Sequence, residues 1–306
     1  MYGMDVKNAS QGMSGIYLKE LRRRFRSELS AAYPPAEIDA IFHELIAHYF
    51  GFPRTVIAME PDTQMGKAEA SLLSGALDGL KAHQPVQYIT GQAYFMDMTL
   101  RVSPDVLIPR PETAELVAWA SARFSPQNDT PSILDVGTGS GCIALGLKRQ
   151  LPHAVVYGMD VSEAALEIAR YNSADQDLEV HFYKGDLFRP ETTIHSFDIL
   201  ISNPPYIPKS ESRSLQAHVR CAEPHLALFV PDEDPLLYYR QLCEYAMLNL
   251  KDEGWIYLET HEDHAYCVRD LLETRGFSST EIKKDIFGKE RFVRGEFHRL
   301  PGGSNL

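Results

Sequence analysis

The sequence predicts an α/β chain, with a mostly parallel, doubly wound sheet carrying helices on both faces and a small all-helical unit in front of it. Three observations predict this. From Ser132 onward, short apolar runs of strand character alternate with segments whose apolar residues recur at helical spacing. Between Leu18 and about residue 83, three segments carry apolar residues at helical spacing. Between the two, 93–96 and 98–102 read as two short strands around Asp97, a hairpin bridging the helical unit to the α/β region. The 306 residues therefore divide into a helical unit over 1–83, a linker and hairpin over 84–113, and an α/β domain over 114–306.

Taken in order, residues 1–14 are polar and are expected to fray. Leu18, Leu21, Phe25 and Leu29 then mark a first helix, with Arg22, Arg23, Arg24 and Arg26 on its solvated side. A second helix starts at Pro34-Pro35, where proline is tolerated, buries Ile38, Ile41, Phe42, Leu45 and Tyr49, and stops at Gly51. A third carries Leu72, Leu73, Ala76, Leu77 and Leu80. The stretch from Gln84 to Gly91 breaks the helical pattern. After the hairpin, Pro104, Pro109 and Pro111 stiffen a loop over 106–113, and a helix occupies 114–124. Strands are expected at 133–136, 155–159, 180–183, 198–201 and 255–258, with two further β-rich runs at 281–286 and 291–297, seven in all. Helices between them cover 142–150, 162–172, 236–249 and 266–275.

Composition narrows the function. A formal charge of −12 disfavours broad nucleic-acid or membrane-surface binding, both of which want a basic face. Four scattered cysteines form neither a disulfide framework nor a zinc knot, which fits a reducing cytoplasm. His261 and His264 stand three residues apart without a third ligand nearby, so no metal is expected. No apolar run approaches the ~20 residues of a membrane span, and the N-terminal residues lack the apolar core of a signal peptide. A monomer is expected, because no exposed apolar helix is evident.

Ligands on doubly wound sheets bind at the carboxyl ends of the strands. The first strand ends in Asp135-Val136-Gly137-Thr138-Gly139-Ser140-Gly141, a turn whose alternate glycines let backbone approach a ligand, with helix N-terminal N–H groups facing it. The second ends at Asp160, nineteen residues past Gly141, where a carboxylate can accept from both ribose hydroxyls or simply supply charge to the helix capped by Ser162. The third leads to Asp186 and Leu187, an acid for an exocyclic amine and an apolar side chain for a ring. The fourth ends at Asn203-Pro204-Pro205-Tyr206. Neither prolyl nitrogen carries a hydrogen, so this ledge offers a carboxamide, outward carbonyls and a flat ring to a planar NH2 group. A nicotinamide enzyme explains the first two ends only; a nucleoside-bearing methyl donor explains all four.

This set resembles the S-adenosylmethionine-dependent methyltransferases of the Rossmann-like class I fold that methylate planar nitrogens. Two groups share the ledge: adenine-N6 methyltransferases of nucleic acid and the protein glutamine-N5 methyltransferases that modify release factors. Residues Gln84-Pro85-Val86-Gln87-Tyr88-Ile89, Leu107-Ile108-Pro109-Arg110-Pro111-Glu112-Thr113, Glu223-Pro224 with Ala227-Leu228, and Lys289 with Arg291-Phe292-Val293 resemble the release factor glutamine methyltransferase family. That resemblance implies methyl transfer to the glutamine of the Gly-Gly-Gln loop of class 1 peptide chain release factors, with S-adenosylhomocysteine as product. It implies that Gly137, Thr138, Gly139, Ser140 and Gly141 cradle the donor, that Asp160 holds its ribose, and that Asp186 and Leu187 meet its adenine. Asn203 lies against donor and substrate alike, accepting with the Pro204 carbonyl from the glutamine NH2, with Pro205 and Tyr206 completing the ledge. Arg110 and Glu112 receive no chemical step. Two stretches depart from the family pattern: Thr260-His261-Glu262-Asp263 after Glu259, and Val230-Pro231-Asp232-Glu233-Asp234-Pro235. A non-enzymatic donor-binding protein is a third reading, but it has no use for Asn203.

Overall fold

The computed structural model describes residues 16–60, 62–189 and 196–299, so the segment expected to fray lies outside the described residues. The chain forms two compact units that divide between Thr90 and Gly91. In the first, helices Leu18–Leu29, Pro35–Phe50 and Lys67–Lys81 bury Leu18, Leu21, Phe25, Ile38, Phe42, Leu45, Leu73 and Leu77 in one core. Phe25 meets Phe42 edge to face at 5.0 Å between ring centroids. Pro35 occupies the first turn of its helix, and Gly51 ends that helix at a φ of 67°. The arginine face is not wholly solvated, since Arg22 and Arg26 converge on Asp39 and hold its carboxyl well below the usual range. The stretch after Gln84 does not stay irregular. Pro85 starts a helical turn over Val86–Thr90, its carbonyl accepting from the Tyr88 and Ile89 amides, and Val86 enters the core.

In the second unit, Gln92–Phe95 pairs antiparallel with Met98–Arg101 around Met96 and Asp97, both at positive φ, which is the geometry of a two-residue hairpin turn. Among the described residues, seven strands after it form one sheet: β1 Ser132–Val136, β2 Val155–Asp160, β3 His181–Lys184, β4 Phe197–Ser202, β5 Leu250–Glu259, β6 Phe277–Lys284 and β7 Glu290–Phe297. Their order is β6-β7-β5-β4-β1-β2-β3, with β7 alone antiparallel to its neighbours. This is the Rossmann-like class I methyltransferase sheet. Side chains alternate between faces. Ile133, Ile199 and Ile201 pack with the hairpin and with helices Pro111–Ser121 and Cys142–Gln150. On the other face, Leu134, Leu200 and Ile256 pack with helices Leu237–Asn249 and Ala265–Thr274.

The helix expected over 114–124 begins three residues earlier, with Pro111 in its first turn. Thr113, expected in a loop, is therefore a buried helical residue. Proline's fixed φ and missing N–H suit a first turn, so the stiff loop ends at Arg110.

One polar side chain on the helix Glu163–Asp175 ties the hairpin to the turn that follows β1. Asn172, fully buried, accepts from the Arg101 amide at 2.7 Å and donates to the Arg101 carbonyl at 3.0 Å and the Ser140 carbonyl at 2.9 Å. Asn172→Ala leaves three backbone groups without partners, and unfolding in urea is expected to show a loss of about 2–4 kcal/mol.

Candidate active site

Adjacent pairing of β4, β1, β2 and β3 brings the four anticipated strand ends onto one edge. The turn after β1 holds Gly137, Gly139 and Gly141 at φ of 73°, 53° and 82°. A Cβ at Gly137 or Gly139 would meet nothing within 4 Å, so backbone conformation rather than crowding demands glycine there. The turn spends most of its own donors. The Gly137 and Thr138 amides bond the Met159 carbonyl at 2.8 and 3.0 Å, and Gly141 bonds the Thr138 carbonyl at 2.8 Å. What this stretch offers a ligand is close approach of backbone more than a row of free N–H groups.

Asp160 takes up the helix role open to it in the sequence and braces the glycine turn as well. Its Oδ2 accepts from the Gly139 amide and its Oδ1 from the Ser162 amide, each at 2.9 Å, so it shapes the glycine turn and the start of the Ser162-capped helix. Asp186 accepts from the Phe188 amide at 2.9 Å, and half-buried Leu187 packs against the core beside it. The Gly185 amide bonds the Asp160 carbonyl at 3.0 Å, joining these two ends directly. Asp135, wholly buried, accepts from the Thr138 hydroxyl at 2.6 Å and the Ala144 amide at 3.3 Å through Oδ2, while Oδ1 has no partner. Burial pushes its carboxyl up to about 7.

The ledge leaves β4 immediately after Ser202, whose hydroxyl donates to the Val136 carbonyl at 2.7 Å and so roots it beside the glycine turn. Asn203, Pro205 and Tyr206 are half-buried and Pro204 is buried. Asn203 Nδ2 donates to Thr113 Oγ1 at 3.2 Å, and Thr113 Oγ1 donates to Glu259 Oε2 at 2.7 Å. The Tyr206 hydroxyl donates to Glu259 Oε1 at 3.3 Å. Burial raises the Glu259 carboxyl to about 7 against the opposing effects of Thr113, Arg291 and Tyr206, with Glu112 adding a smaller repulsion. Neither Thr113 nor Glu259 stands out as a site residue in the sequence. The one available signal was an acid at a strand end, where ligands of such sheets gather.

The motifs that departed from pattern, or had no role, also find places. Arg110 pairs with Glu223, whose carboxylate is fully buried and also accepts from the Ile108 amide at 3.3 Å. The 106–110 loop and the Glu223-Pro224 motif are thus two halves of one clamp. Phe229–Val230 pairs parallel with Ile207–Pro208, and Asp232 accepts from the Ser210 amide at 2.8 Å, bracing the chain just after the ledge. The His261 ring stands edge-on to Tyr206 at 6.1 Å between centroids. No group of three or more metal-ligating side chains occurs among the described residues, and no described helix is long and apolar enough to cross a membrane.

The sheet order is that of the class I methyltransferases, and the relatives of the chain agree. The PrmC N-terminal domain family matches residues 20–91, and the methyltransferase small domain family matches residues 122–227. A release factor glutamine methyltransferase of Flavobacterium psychrophilum is 35% identical over 285 residues, covering 92% of this chain and 100% of that one. Its counterpart in Bacteroides thetaiotaomicron is 39% identical over 269 residues, covering 88% and 96%. Among solved structures, the T. thermophilus 16S rRNA N2 methyltransferase in complex with AdoMet and guanosine shares the fold, with a TM-score of 0.50 and 19% identity over 68% of this chain and 50% of that one. The chain belongs to the release factor glutamine methyltransferase family.

The residues present fit the donor this class uses. Asp135 Oδ1 is a buried acceptor without a partner, and the open sides of Gly137 and Gly139 leave room for backbone contact.

Glu259 also yields a stability prediction. Its carboxyl is raised from 4.5 to about 7 on folding, so the neutral form is favoured in the native state. That stabilisation is complete below the unfolded value and is lost as pH rises through about 7. Glu259→Gln removes the titrating group. Urea unfolding should show the variant gaining on the wild type by about 3 kcal/mol between about pH 4 and about pH 8.5. A difference independent of pH would contradict it.

Proposed function

We propose that this chain transfers a methyl group from S-adenosylmethionine to the side-chain amide nitrogen (N5) of the glutamine in the Gly-Gly-Gln motif of class 1 peptide chain release factors. On this reading it acts as a cytoplasmic monomer, without a metal and without nucleic acid as substrate, and releases S-adenosylhomocysteine. The observation that carries the reading is the near full-length match to release factor glutamine methyltransferases, together with a ledge whose Asn203 carbonyl is free to accept.

Gly137, Thr138, Gly139, Ser140 and Gly141 would line the donor, Asp160 its ribose, and Asp186 with Leu187 its adenine, while Asn203 borders it from the ledge. Bound S-adenosylmethionine supplies an electrophilic methyl group on a positively charged sulfur. The protein's task is the nucleophile. An amide nitrogen is poor because its lone pair is delocalised into the carbonyl, and no side chain here deprotonates it outright. Asn203 Oδ1 and the Pro204 carbonyl accept the two NH2 hydrogens, which fixes the nitrogen and turns its lone pair toward the methyl group. As the nitrogen becomes positive, the same acceptors hold it more tightly than before. The spare proton then leaves by the ledge or to water. Pro205 and the Tyr206 ring keep the acceptors from shifting.

The test offers labelled donor to purified release factors, to a factor whose Gly-Gly-Gln glutamine is replaced by alanine, and to duplex DNA. Label is expected only in the unmodified factor; label in DNA, or equal label in the altered factor, overturns the reading. Asn203→Ala should lower kcat by about 100-fold or more while calorimetric donor affinity stays within about three-fold. Asp160→Ala should do the reverse, weakening donor binding by about ten-fold or more.

A further inference from the structure

We propose that Thr113 and Glu259 are positioning residues that decide which end of the Asn203 carboxamide faces the substrate. The inference rests on the proposed role of Asn203 as an acceptor and deepens it. It is carried by a count of protons. A threonine hydroxyl has one hydrogen to give. With Glu259 ionised, Thr113 spends it on Glu259 Oε2 at 2.7 Å, which leaves only lone pairs for Asn203. The group of Asn203 that can meet a lone pair is its NH2, found there at 3.2 Å. Its Oδ1, on the same trigonal carbon, is thereby turned away from Thr113 as an acceptor. The flipped amide would set a carbonyl oxygen against the lone pairs of Thr113 and present a donor to a substrate NH2 that is itself a donor.

The relay is built to be rigid. Thr113 is buried, in the first turn of a helix whose start Pro111 fixes. Glu259 lies at the end of β5, one residue beyond Leu258, which pairs with Ser202 at the root of the ledge. Its other oxygen accepts from Tyr206, so one carboxylate grips the ledge at both ends. Its backbone is held as well, since the buried Tyr239 hydroxyl donates to the Glu259 carbonyl at 3.2 Å. A buried carboxylate needs hydrogen-bond donors, and of the two hydroxyls that serve Glu259, Tyr206 belongs to the ledge and Thr113 is bonded to it.

The experiment compares Thr113→Ser, which keeps the hydroxyl, with Thr113→Ala and Thr113→Val, which remove it, in methyl transfer to an intact release factor. The two variants without the hydroxyl should lose about 10- to 100-fold in kcat, with KM for the factor and calorimetric Kd for the donor within about three-fold of wild type. Thr113→Ser should retain kcat within about three-fold. Should Thr113→Val fail to fold, the Ser–Ala pair, differing by the hydroxyl alone, still decides. Glu259→Gln, whose amide can offer Thr113 either a donor or an acceptor, should lose about 3- to 10-fold in kcat. Wild-type kcat in Thr113→Ala, or equal losses in Thr113→Ser and Thr113→Ala, overturns the proposal, and wild-type kcat in Glu259→Gln removes that residue from it. Asn203→Ala, run alongside, separates the two claims. If it stays active, the reading of Asn203 fails; if it collapses while Thr113→Ala does not, the positioning role alone fails.

Discussion

The parallel ladder joining β4 to β1 and β1 to β2 is the constraint on which the rest depends. Parallel neighbours present their carboxyl ends on the same side, so each strand's last residue lands beside the last residue of the next. Short bonds then lock the ends together. The Met159 carbonyl takes two amides of the glycine turn, Asp160 takes a third, and Ser202 reaches the Val136 carbonyl. These bonds make one surface from residues that span Asp135 to Tyr206 in the chain.

Three acids around that surface do different work. Asp160, half-buried, uses its carboxylate to shape backbone. Asp135, buried, keeps one oxygen without a hydrogen-bond partner beside the glycine turn. Glu259, also buried, faces hydroxyls, and through them the ledge. Placing an acid in a low-dielectric interior weakens its tendency to ionise, and each neighbour then determines how much charge the site tolerates.

Much of the architecture was legible from periodicity. All seven strands and the principal helices lie near their expected places, because a sheet covered on both faces needs apolar runs and its helices need an apolar stripe. The two strand starts were missed for one reason. β6 begins at Phe277, four residues before the expected start, and β5 begins at Leu250, before the polar Lys251-Asp252-Glu253. Strand residues that face solvent carry no apolar signal. The early start of the helix at Pro111 was hidden by prolines that read equally as loop and as first turn.

By itself the sequence determined the sheet, the glycine turn, the acids at the strand ends and the Asn203-Pro204-Pro205-Tyr206 ledge, since each is a local pattern with a local physical cause. Its further motifs also separated glutamine from adenine as the expected substrate. Only the tertiary structure decided how the ledge is held. Asn203 meets Thr113 across 90 positions of chain, and Thr113 meets Glu259 across 146. Arg110 finds Glu223 across 113. Hydrogen bonds of such span leave no periodicity behind, because the direction of a side-chain proton depends on what folding brings opposite it.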